Sequence, residues 1–580
     1  MPRSSALAFE DTVDIEIDLV DAFVPQQPSQ WNGYPFPRLA RTSLRESRAF
    51  QAILLENDLL RATLVPALGG RVLSLLDKRT GTEILSEAKA LTMIDDERRG
   101  LGISDGLQIV LDGQPRLNSL GSMDCRLESG DEEDDEAVVW IAEAVTGTGL
   151  SFHVRVSMPS DRAELLLEAR VLNRSYRHLP YNGGVCARLG EVVATGSAVY
   201  CAERRAGLGF FSEAAFEGIG CEQGVFVRTR FDRTRWLAPH QADTWQLAVV
   251  PYSGFESLTS AGREGAIDVS EARIRIQTTE TRPEHKLLLL TDSGETLEAK
   301  VDIYAEHAQE FPLNGITPTS VVLRHPSKAD VLRHDSADNA IALGSTRALR
   351  SQPVEPEPIE LDRTKPEIDL KRATFDIATR HTGHLLLGQR HLRDKRFEEA
   401  AEAFEQALLY NADDPLAWWA KAVALRMADI DNQAELLNAH YLAPLEPALR
   451  AESFLSQPVS LDAEGSPLVA PLAENPGELI EVACLLIDCG LFDQANRWID
   501  EALRHADLPM LRYLMAYCFL QGTRLDAEAF DNVQRASRSP IAPPFPYRDT
   551  EWTAIETLSR NFPQDSRLKT LLDIGARQRQ

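Results

Sequence analysis

The sequence contains 580 residues, with 61 Lys and Arg against 88 Asp and Glu and a formal net charge of -27. A chain this acidic repels nucleic-acid phosphates and anionic lipids, so we expect neither nucleic acid nor a membrane among its partners. The length is too great for one ordinary domain, and a hydrophobic content of 43% predicts a folded globular chain of several domains.

Three features of the sequence bear on its cellular compartment. The longest apolar runs, such as 286–290 and 482–487, are much shorter than a membrane span. Acidic residues alternate from Asp11 to Asp21, where a signal peptide needs a basic start followed by an apolar run. The 7 cysteines are few for the length and odd in number, which argues against a disulfide framework. Together these features predict a cytoplasmic protein.

The first clear elements in chain order lie within residues 54–85. Leucine-rich and β-branched runs flank Pro66 and the pair Gly69 and Gly70, where the backbone can take positive φ. This pattern predicts two strands joined at a Pro/Gly corner. Ahead of them, the aromatic and proline-rich residues 31–37 predict an extended lead-in segment.

Short β-rich segments separated by turn residues continue to about residue 325, which is typical of an all-β sandwich. The clearest hairpin joins residues 149–158 to 164–172 through a turn at 159–162. In its first strand Ser151, His153, Arg155 and Ser157 alternate with Phe152, Val154, Val156 and Met158. Period two places the polar set on one face and the apolar set in the core. The polar face either lines a concave ligand site or lies on the outside.

Two polar clusters raise the question of a metal site. The acidic run 130–136 lacks the spaced ligands and central glycine of a calcium loop, so a solvated hairpin tip is expected there. His381, His384 and His391 have helical spacing but no accompanying carboxylate or cysteine pattern, so we expect them on a solvated helix face. Because the sequence contains neither a phosphate-binding glycine loop nor a zinc pattern, we expect no metal and no cofactor.

The composition changes after residue 350. Four prolines among acidic residues in 351–367 predict a stiff extended linker. Beyond it, the spacing of Gly388, Ala400, Phe404 and Ala407 resembles a tetratricopeptide helix pair of about 34 residues, in which small residues allow close helix approach. Similar pairs are predicted over 417–440, 479–505 and 511–536, followed by a helical cap.

The run 54–85 also resembles the opening of a DUF5107 domain, a galactose-mutarotase-like β-sandwich, and residues 31–37 resemble its lead-in. The resemblance implies a sugar site on a concave sheet face, where two groups transfer protons. It implies Glu298 as the general base and Asp124 as a second carboxylate. His153 is the third catalytic candidate.

Four residues are substrate-binding candidates: Arg71, Gln108 and Arg188 lie in segments compared with the family, and Arg155 shares the polar strand face of His153. Arg71 follows the glycine pair and either holds a sugar or fixes the corner through an internal ion pair. Gln108 stands where the family carries an acidic residue, and 181–188 replaces a tryptophan-rich strand. Gln108 can bind a sugar hydroxyl but cannot act as a base. These departures imply a different substrate or lost catalysis.

The sequence thus predicts a multidomain chain, a mainly antiparallel β-sandwich followed by an all-α tetratricopeptide-type solenoid. The expected ranges are a lead-in over 1–50, the sandwich over 51–350, a linker over 351–372 and repeats over 373–580. The expected function is carbohydrate processing of a glycoside hydrolase or epimerase type. The alternative is a non-catalytic sugar sensor or scaffold, and whether the chain is an enzyme stays open. The expected partners are a carbohydrate and, through the repeats, a protein or a second copy.

Overall fold

A computed structural model gives the fold of most of the chain. It describes residues 5–23, 34, 38–85, 90–96, 100–110, 122–128, 135–145, 147–189, 191–195, 197–212, 216–222, 226–231, 235–335, 361–362, 364–457, 466–523, 525–540 and 544–578. Most of the predicted lead-in 31–37, the acidic run 130–136 and the linker 351–367 lies outside the described residues.

Strands make up the described part before residue 336. They are β1 (Leu7–Phe23), β2 (Arg38–Glu56), β3 (Leu60–Val65), β4 (Arg71–Asp77), β5 (Thr82–Glu83), β6 (Met93–Asp96), β7 (Gly100–Ile103), β8 (Leu107–Val110), β9 (Asp124–Glu128), β10 (Glu136–Val145), β11 (Leu150–Pro159), β12 (Leu165–Asn173), β13 (Leu179–Tyr181), β14 (Gly184–Arg188), β15 (Val193–Thr195), β16 (Ala198–Cys201), β17 (Ala206–Phe211), β18 (Phe216–Glu222), β19 (Phe226–Phe231), β20 (Arg235–Leu237), β21 (Ala242–Ser253), β22 (Ser260–Gly262), β23 (Gly265–Val269), β24 (Arg273–Thr278), β25 (Arg282–Thr291), β26 (Thr296–Ile303), β27 (Gln309–Pro312), β28 (Pro318–Arg324) and β29 (Asp330–Asp335).

Helices make up the rest. They are α1 (Glu367–Ala373), α2 (Arg380–Arg393), α3 (Phe397–Tyr410), α4 (Pro415–Met427), α5 (Gln433–Leu442), α6 (Pro447–Leu455), α7 (Pro476–Asp488), α8 (Phe492–His505), α9 (Pro509–Cys518), α10 (Asp526–Arg538), α11 (Asp549–Asn561) and α12 (Ser566–Gln578). The predicted order of an antiparallel β-sandwich followed by helix pairs is confirmed.

Two large antiparallel sheets form the sandwich. The nine-stranded sheet has the order β1, β2, β3, β4, β8, β14, β19, β18, with β5 paired to β4. The eight-stranded sheet has the order β15, β16, β17, β21, β12, β11, β10, β9. Their facing side chains share one apolar core, to which Leu64 and Leu107 contribute from the first sheet and Phe152 and Leu167 from the second.

The hairpin predicted from residues 149–172 is confirmed by the pairing of β11 with β12. Its apolar set, Phe152, Val154, Val156 and Met158, lies in the sandwich core. The polar set points the other way, yet Ser151, His153 and Ser157 are buried as well. His153 lies against Glu446, which precedes a helix, and Ser151 accepts a hydrogen bond from Arg174, which pairs with the same glutamate.

The Pro/Gly corner is confirmed. A short 3₁₀ turn at Pro66–Leu68 is followed by Gly69 and Gly70, whose φ values of 76 and 61 are readily available only to glycine. A Cβ atom on Gly70 would lie 2.3 Å from the sulfur of Met123. The corner therefore needs glycine for its turn and for its packing.

A smaller pair of sheets follows the sandwich. One has the order β22, β23, β24, β27 and the other the order β26, β25, β28, β29. They enclose a separate core that includes Ile267, Ile276, Leu287 and Val321. Strand β26, which carries Glu298, lies at the edge of the second of these sheets.

The first helix pair packs as the tetratricopeptide resemblance implies. Ala400, Phe404 and Ala407 of α3 are fully buried, and a Cβ on Gly388 of α2 would lie 2.5 Å from the Phe404 ring. Two of the three histidines expected on a solvated face, His381 and His391, are instead buried. His381 Nδ1 lies 3.0 Å from the Ala407 carbonyl, because α2 packs directly on α3. None of the described helices is long and apolar enough to cross a membrane.

We expect Gly388→Ala to lower the free energy of unfolding by about 1 to 3 kcal/mol, because the added methyl overlaps the Phe404 ring in a filled core. Thermal denaturation followed by circular dichroism measures this. Adding Phe404→Leu to the variant makes room for the methyl, so the double variant should lose less stability than the sum of the single changes. Strict additivity would contradict the packing described here.

Candidate functional site

A row of three polar side chains crosses three neighbouring strands on the outer face of the nine-stranded sheet. Gln108 of β8 is paired with Cys186 of β14. The antiparallel register that pairs Val72 with Leu107 sets Arg71 of β4 opposite Gln108. Residues directly opposite on adjacent strands project to the same face. We call Arg71, Gln108 and Cys186 the polar row.

The Gly69 and Gly70 corner and Gly106 determine where the side chains of the polar row lie. Arg71 is the first residue of β4, immediately after the Gly69 and Gly70 corner. Gly106 has φ 79, and a Cβ there would lie 2.6 Å from the Val72 carbonyl oxygen. Since only glycine allows β8 to start so close to β4, Gly106 brings Gln108 beside Arg71.

Arg71 is 1% exposed and is held by backbone carbonyls. Its Nε donates to Leu68 O at 2.8 Å, and its Nη1 donates to Asp105 O at 2.6 Å and to Ile103 O at 3.3 Å. Burial lowers the pKa of Arg71 to about 10, against the opposing effects of Asp105 and Cys186. The guanidinium therefore keeps its positive charge at neutral pH.

Two donor atoms of the row have no acceptor within the described part of the chain. They are Arg71 Nη2 and Gln108 Nε2, and both are buried. A buried donor without an acceptor destabilises a fold by about 1 to 3 kcal/mol, so such a group calls for a functional explanation. Two of them lie on adjacent strands of one sheet, which makes the polar row the candidate site.

The row meets solvent at Arg188, two residues beyond Cys186 on the same face of β14, with a side chain 35% exposed. Its Nη1 lies 3.3 Å from Ser104 Oγ and 3.9 Å from Asp105 Oδ1. The other oxygen of Asp105 accepts a hydrogen bond from the backbone amide of Thr92. Three of the four predicted substrate-binding residues, Arg71, Gln108 and Arg188, thus come together.

The two segments that depart from the DUF5107 pattern lie side by side in the sheet. Residues 105–112 and 181–188 contribute β8 and β14, which are hydrogen-bonded neighbours. Both changes therefore affect the same surface. Cys186 was not singled out from the sequence, although it lies within the second departing segment.

A second polar group lies on the outer face of the eight-stranded sheet and contains Asp124, His153 and Arg155. Asp124 and His153 are both paired with Ala142, so they share this face. Arg155 is paired with Trp140 and forms an ion pair with Glu136, at 2.7 Å between Nη2 and Oε1.

Helices cover Asp124 and His153 of this group. Asp124 forms an ion pair with Arg450 of α6, and burial still raises the pKa of its carboxyl. His153 Nε2 lies 3.9 Å from an oxygen of Glu446, which precedes α6. Burial, with Arg174 and Arg170 nearby, lowers the pKa of His153 to about 3, so this imidazole is neutral near pH 7.

Arg174 joins the sheet to the helices at the centre of the contact. It forms ion pairs with Glu446 and Glu481, and its Nε donates to Ser151 Oγ at 2.9 Å. Around it, Arg170 donates to the Leu442 carbonyl at 2.9 Å and Tyr176 to Gln389 at 2.9 Å. No sequence motif marked Arg174.

Glu298, the predicted base, lies apart from both groups. Its side chain is 50% exposed and forms an ion pair with Lys286, at 2.6 Å between Oε1 and Nζ. It lies on β26, in a different sheet from Asp124 and His153. Among the described residues, the structure does not bring the predicted carboxylates to the two sides of one site.

A cavity of about 580 Å³ is lined by β2 and the β6–β7 hairpin, with Arg41, Met93 and Asp95 on its walls, and contains neither group. Within the described ranges, no cluster of three or more His, Cys, Asp or Glu side chains has the arrangement of a metal site.

Glu478 of α7 should make the stability of the fold depend on pH. Its Oε1 accepts from Asn475 at 3.2 Å, whereas its buried Oε2 has no hydrogen-bond partner among the described residues. Burial, with Asp124 nearby, raises the pKa of Glu478 to about 8 from 4.5. Between these values the folded state holds a proton that the unfolded state has lost, so stability falls as pH rises from about 4.5 to 8.

We therefore expect Glu478→Gln to raise the melting temperature at pH 8.5 by several degrees, with little change at pH 5. Glu481→Gln is the matched control. The pKa of Glu481 is lowered by Arg548 and Arg174, so its neutralisation should destabilise the protein at pH 8.5. Equal effects of Glu478→Gln at both pH values would refute the assignment.

Comparison with known proteins supports the resemblance seen in the sequence. The family model described as "Domain of unknown function (DUF5107)" matches residues 29–189. This stretch holds the polar row, Arg188 and the second polar group, whereas Glu298 lies outside it.

Three solved structures are similar in part. A TPR-domain containing protein from Parabacteroides distasonis is 13% identical, with 96% of this chain and 95% of that chain covered and a TM-score of 0.38. A galactose mutarotase-like protein from Clostridium acetobutylicum is 10% identical over 35% of this chain and 96% of that chain, with a TM-score of 0.27. One from Lactobacillus casei is 10% identical over 35% and 100%, with a TM-score of 0.24. At these values the likenesses carry no argument about activity.

Proposed function

We propose that the chain binds a carbohydrate at the polar row and that it acts by binding and not by hydrolysis. The observation that supports this is the pair of buried donors, Arg71 Nη2 and Gln108 Nε2, without acceptors in the described part of the chain. Guanidinium and amide groups bind sugar hydroxyls well, because each hydroxyl offers two acceptor lone pairs. Arg188 marks the side from which a ligand enters.

The placement of the acidic residues argues against a hydrolase. Glycoside hydrolysis typically uses two carboxyl groups about 5 to 9.5 Å apart across the scissile bond. Asp124 is paired with Arg450 under the helices, and Glu298 is paired with Lys286 in another sheet. Asp105 is the carboxylate beside the polar row. Its neighbour Gln108 cannot serve as the second proton-transferring group, because an amide does not act as an acid or a base.

We further propose that the repeats act first within the chain. Helical residues His440 and Leu442 meet Arg126 and Arg170 of the eight-stranded sheet, at 2.5 Å and 2.9 Å respectively. In this arrangement the sandwich takes the place of a protein partner. The helices close one sheet face and leave the face of the polar row to the ligand.

The test is Gln108→Leu, which removes the amide and keeps a similar volume. Because the amide nitrogen has no acceptor among the residues that the structure describes, the melting temperature should stay unchanged or rise. Loss of one hydrogen bond to a sugar should weaken binding about 3- to 10-fold. Isothermal titration calorimetry against a panel of mono- and disaccharides measures the affinity.

Gln277→Leu is the matched control. Gln277 of β24 is 1% exposed, and both of its polar side-chain atoms lack hydrogen-bond partners in the described structure, but it lies in the smaller pair of sheets. This variant should have a similar effect on stability and leave sugar affinity unchanged. The proposal fails if no sugar binds the wild type, or if both variants bind equally well.

A further inference from the structure

Arg71 differs from the other deeply buried arginines in what neutralises its charge. Arg79, with a side chain 1% exposed, has its Nε 2.7 Å from an oxygen of Asp77. Arg174, at 4% exposed, forms ion pairs with Glu446 and Glu481. Arg71 is equally buried, yet its hydrogen bonds go to the carbonyls of Leu68, Ile103 and Asp105. A buried charge normally has a counter-charge in direct contact.

The described residues around Arg71 do not supply a counter-charge in direct contact with its guanidinium. The Asp105 carboxylate accepts from the Thr92 amide through one oxygen, and its other oxygen is 3.9 Å from Arg188. Two guanidinium groups, Arg71 and Arg188, thus share one carboxylate. Among the side chains that the structure describes, the site carries an excess positive charge, in a chain whose net charge is -27.

We propose that the ligand of the polar row is an anionic sugar, whose carboxylate or phosphate is held by Arg71 and Arg188 while a ring hydroxyl accepts from Gln108. The proposal rests on the proposed function, to which it adds the substrate class. The planar guanidinium fork matches the two oxygens of a carboxylate or of a phosphate, so both anions share the recognising chemistry. Entry occurs beside Arg188, where the row meets solvent.

The experiment compares matched ligands on the full chain. Calorimetry measures the affinity of the wild type for glucose, glucuronate and glucose 6-phosphate, and for galactose, galacturonate and galactose 6-phosphate. In at least one series an acidic member should bind 10-fold or more tightly than its neutral parent, which is the size of one charge-assisted contact. Comparing the affinities of the two acidic members then shows whether the site prefers a carboxylate or a phosphate.

Arg188→Gln tests the cause of the preference. Within the described residues Arg188 has one hydrogen bond, of 3.3 Å, and a carboxylate at 3.9 Å, so the variant should fold. It should lose most of the acidic preference, so that the affinities for the acidic and the neutral sugar lie within about 3-fold of each other. Arg324→Gln, a change of equal exposure on β28 in the smaller pair of sheets, should leave both affinities unchanged.

The outcomes separate the two proposals. If neutral sugars bind as tightly as their acidic partners while Gln108→Leu still weakens binding, the charge inference is overturned and the sugar site stands. If acetate or inorganic phosphate alone binds as tightly as the sugar anions, the site is an anion site and both proposals fail. If no ligand binds the wild type, the proposed function fails, and the substrate class with it.

Discussion

The contact between Arg174 and the two glutamates, Glu446 and Glu481, is the constraint on which the rest of the structure depends. All three groups lie deep in the joint between the eight-stranded sheet and the helices. Removing one member of such a buried group typically destabilises a protein by about 3 to 5 kcal/mol, because the remaining charges lose their partners. Ion pairs of this kind add specificity of orientation, since a shifted helix would leave charges buried and unpaired. The helices are thereby fixed on one face of the sandwich.

That docking decides which polar face is available to a ligand. The sandwich has polar side chains on both outer faces, and residue types alone do not separate them. On the eight-stranded sheet, Asp124 has Arg450 as its partner and Arg170 has the Leu442 carbonyl. On the nine-stranded sheet, Arg71 and Gln108 keep donors without acceptors in the described structure. Buried atoms without hydrogen-bond partners among the described residues also occur on the eight-stranded face, His153 Nδ1 and Arg450 Nη1 among them, but these lie against the helices. The polar row is joined to solvent by Arg188, and this access locates the candidate site.

The sequence was a good guide wherever the signal is local. The alternation of residues 151–158, the glycine corner and the spacing of Gly388 with Phe404 each predict structure from neighbours along the chain or one turn away. What covers a face is not local. The alternation of residues along the strand predicts that His153 and Phe152 point in opposite directions. It does not predict that His153 is buried, because the helices that bury it lie far along the chain. The pairing of Gln108 with Cys186 is equally non-local and needed the sheet order. Glu298 keeps the local spacing of the family motif, and spacing alone did not tell in which sheet its strand lies.

The net negative charge of the whole chain limits how an anionic ligand can be attracted to the polar row. A net charge of -27 repels an anion at long range, but salt reduces this repulsion beyond about 8 to 10 Å. An anionic sugar would therefore gain little from electrostatic steering, and its selection must come from contacts within the row. The features needed for such contacts are present there, because Arg71 is fixed by three carbonyls and Gln108 is held beside it by the close approach at Gly106. Donors fixed before the ligand arrives lose little conformational entropy on binding, and a short-range site of this kind can hold an anion against the field of its own protein.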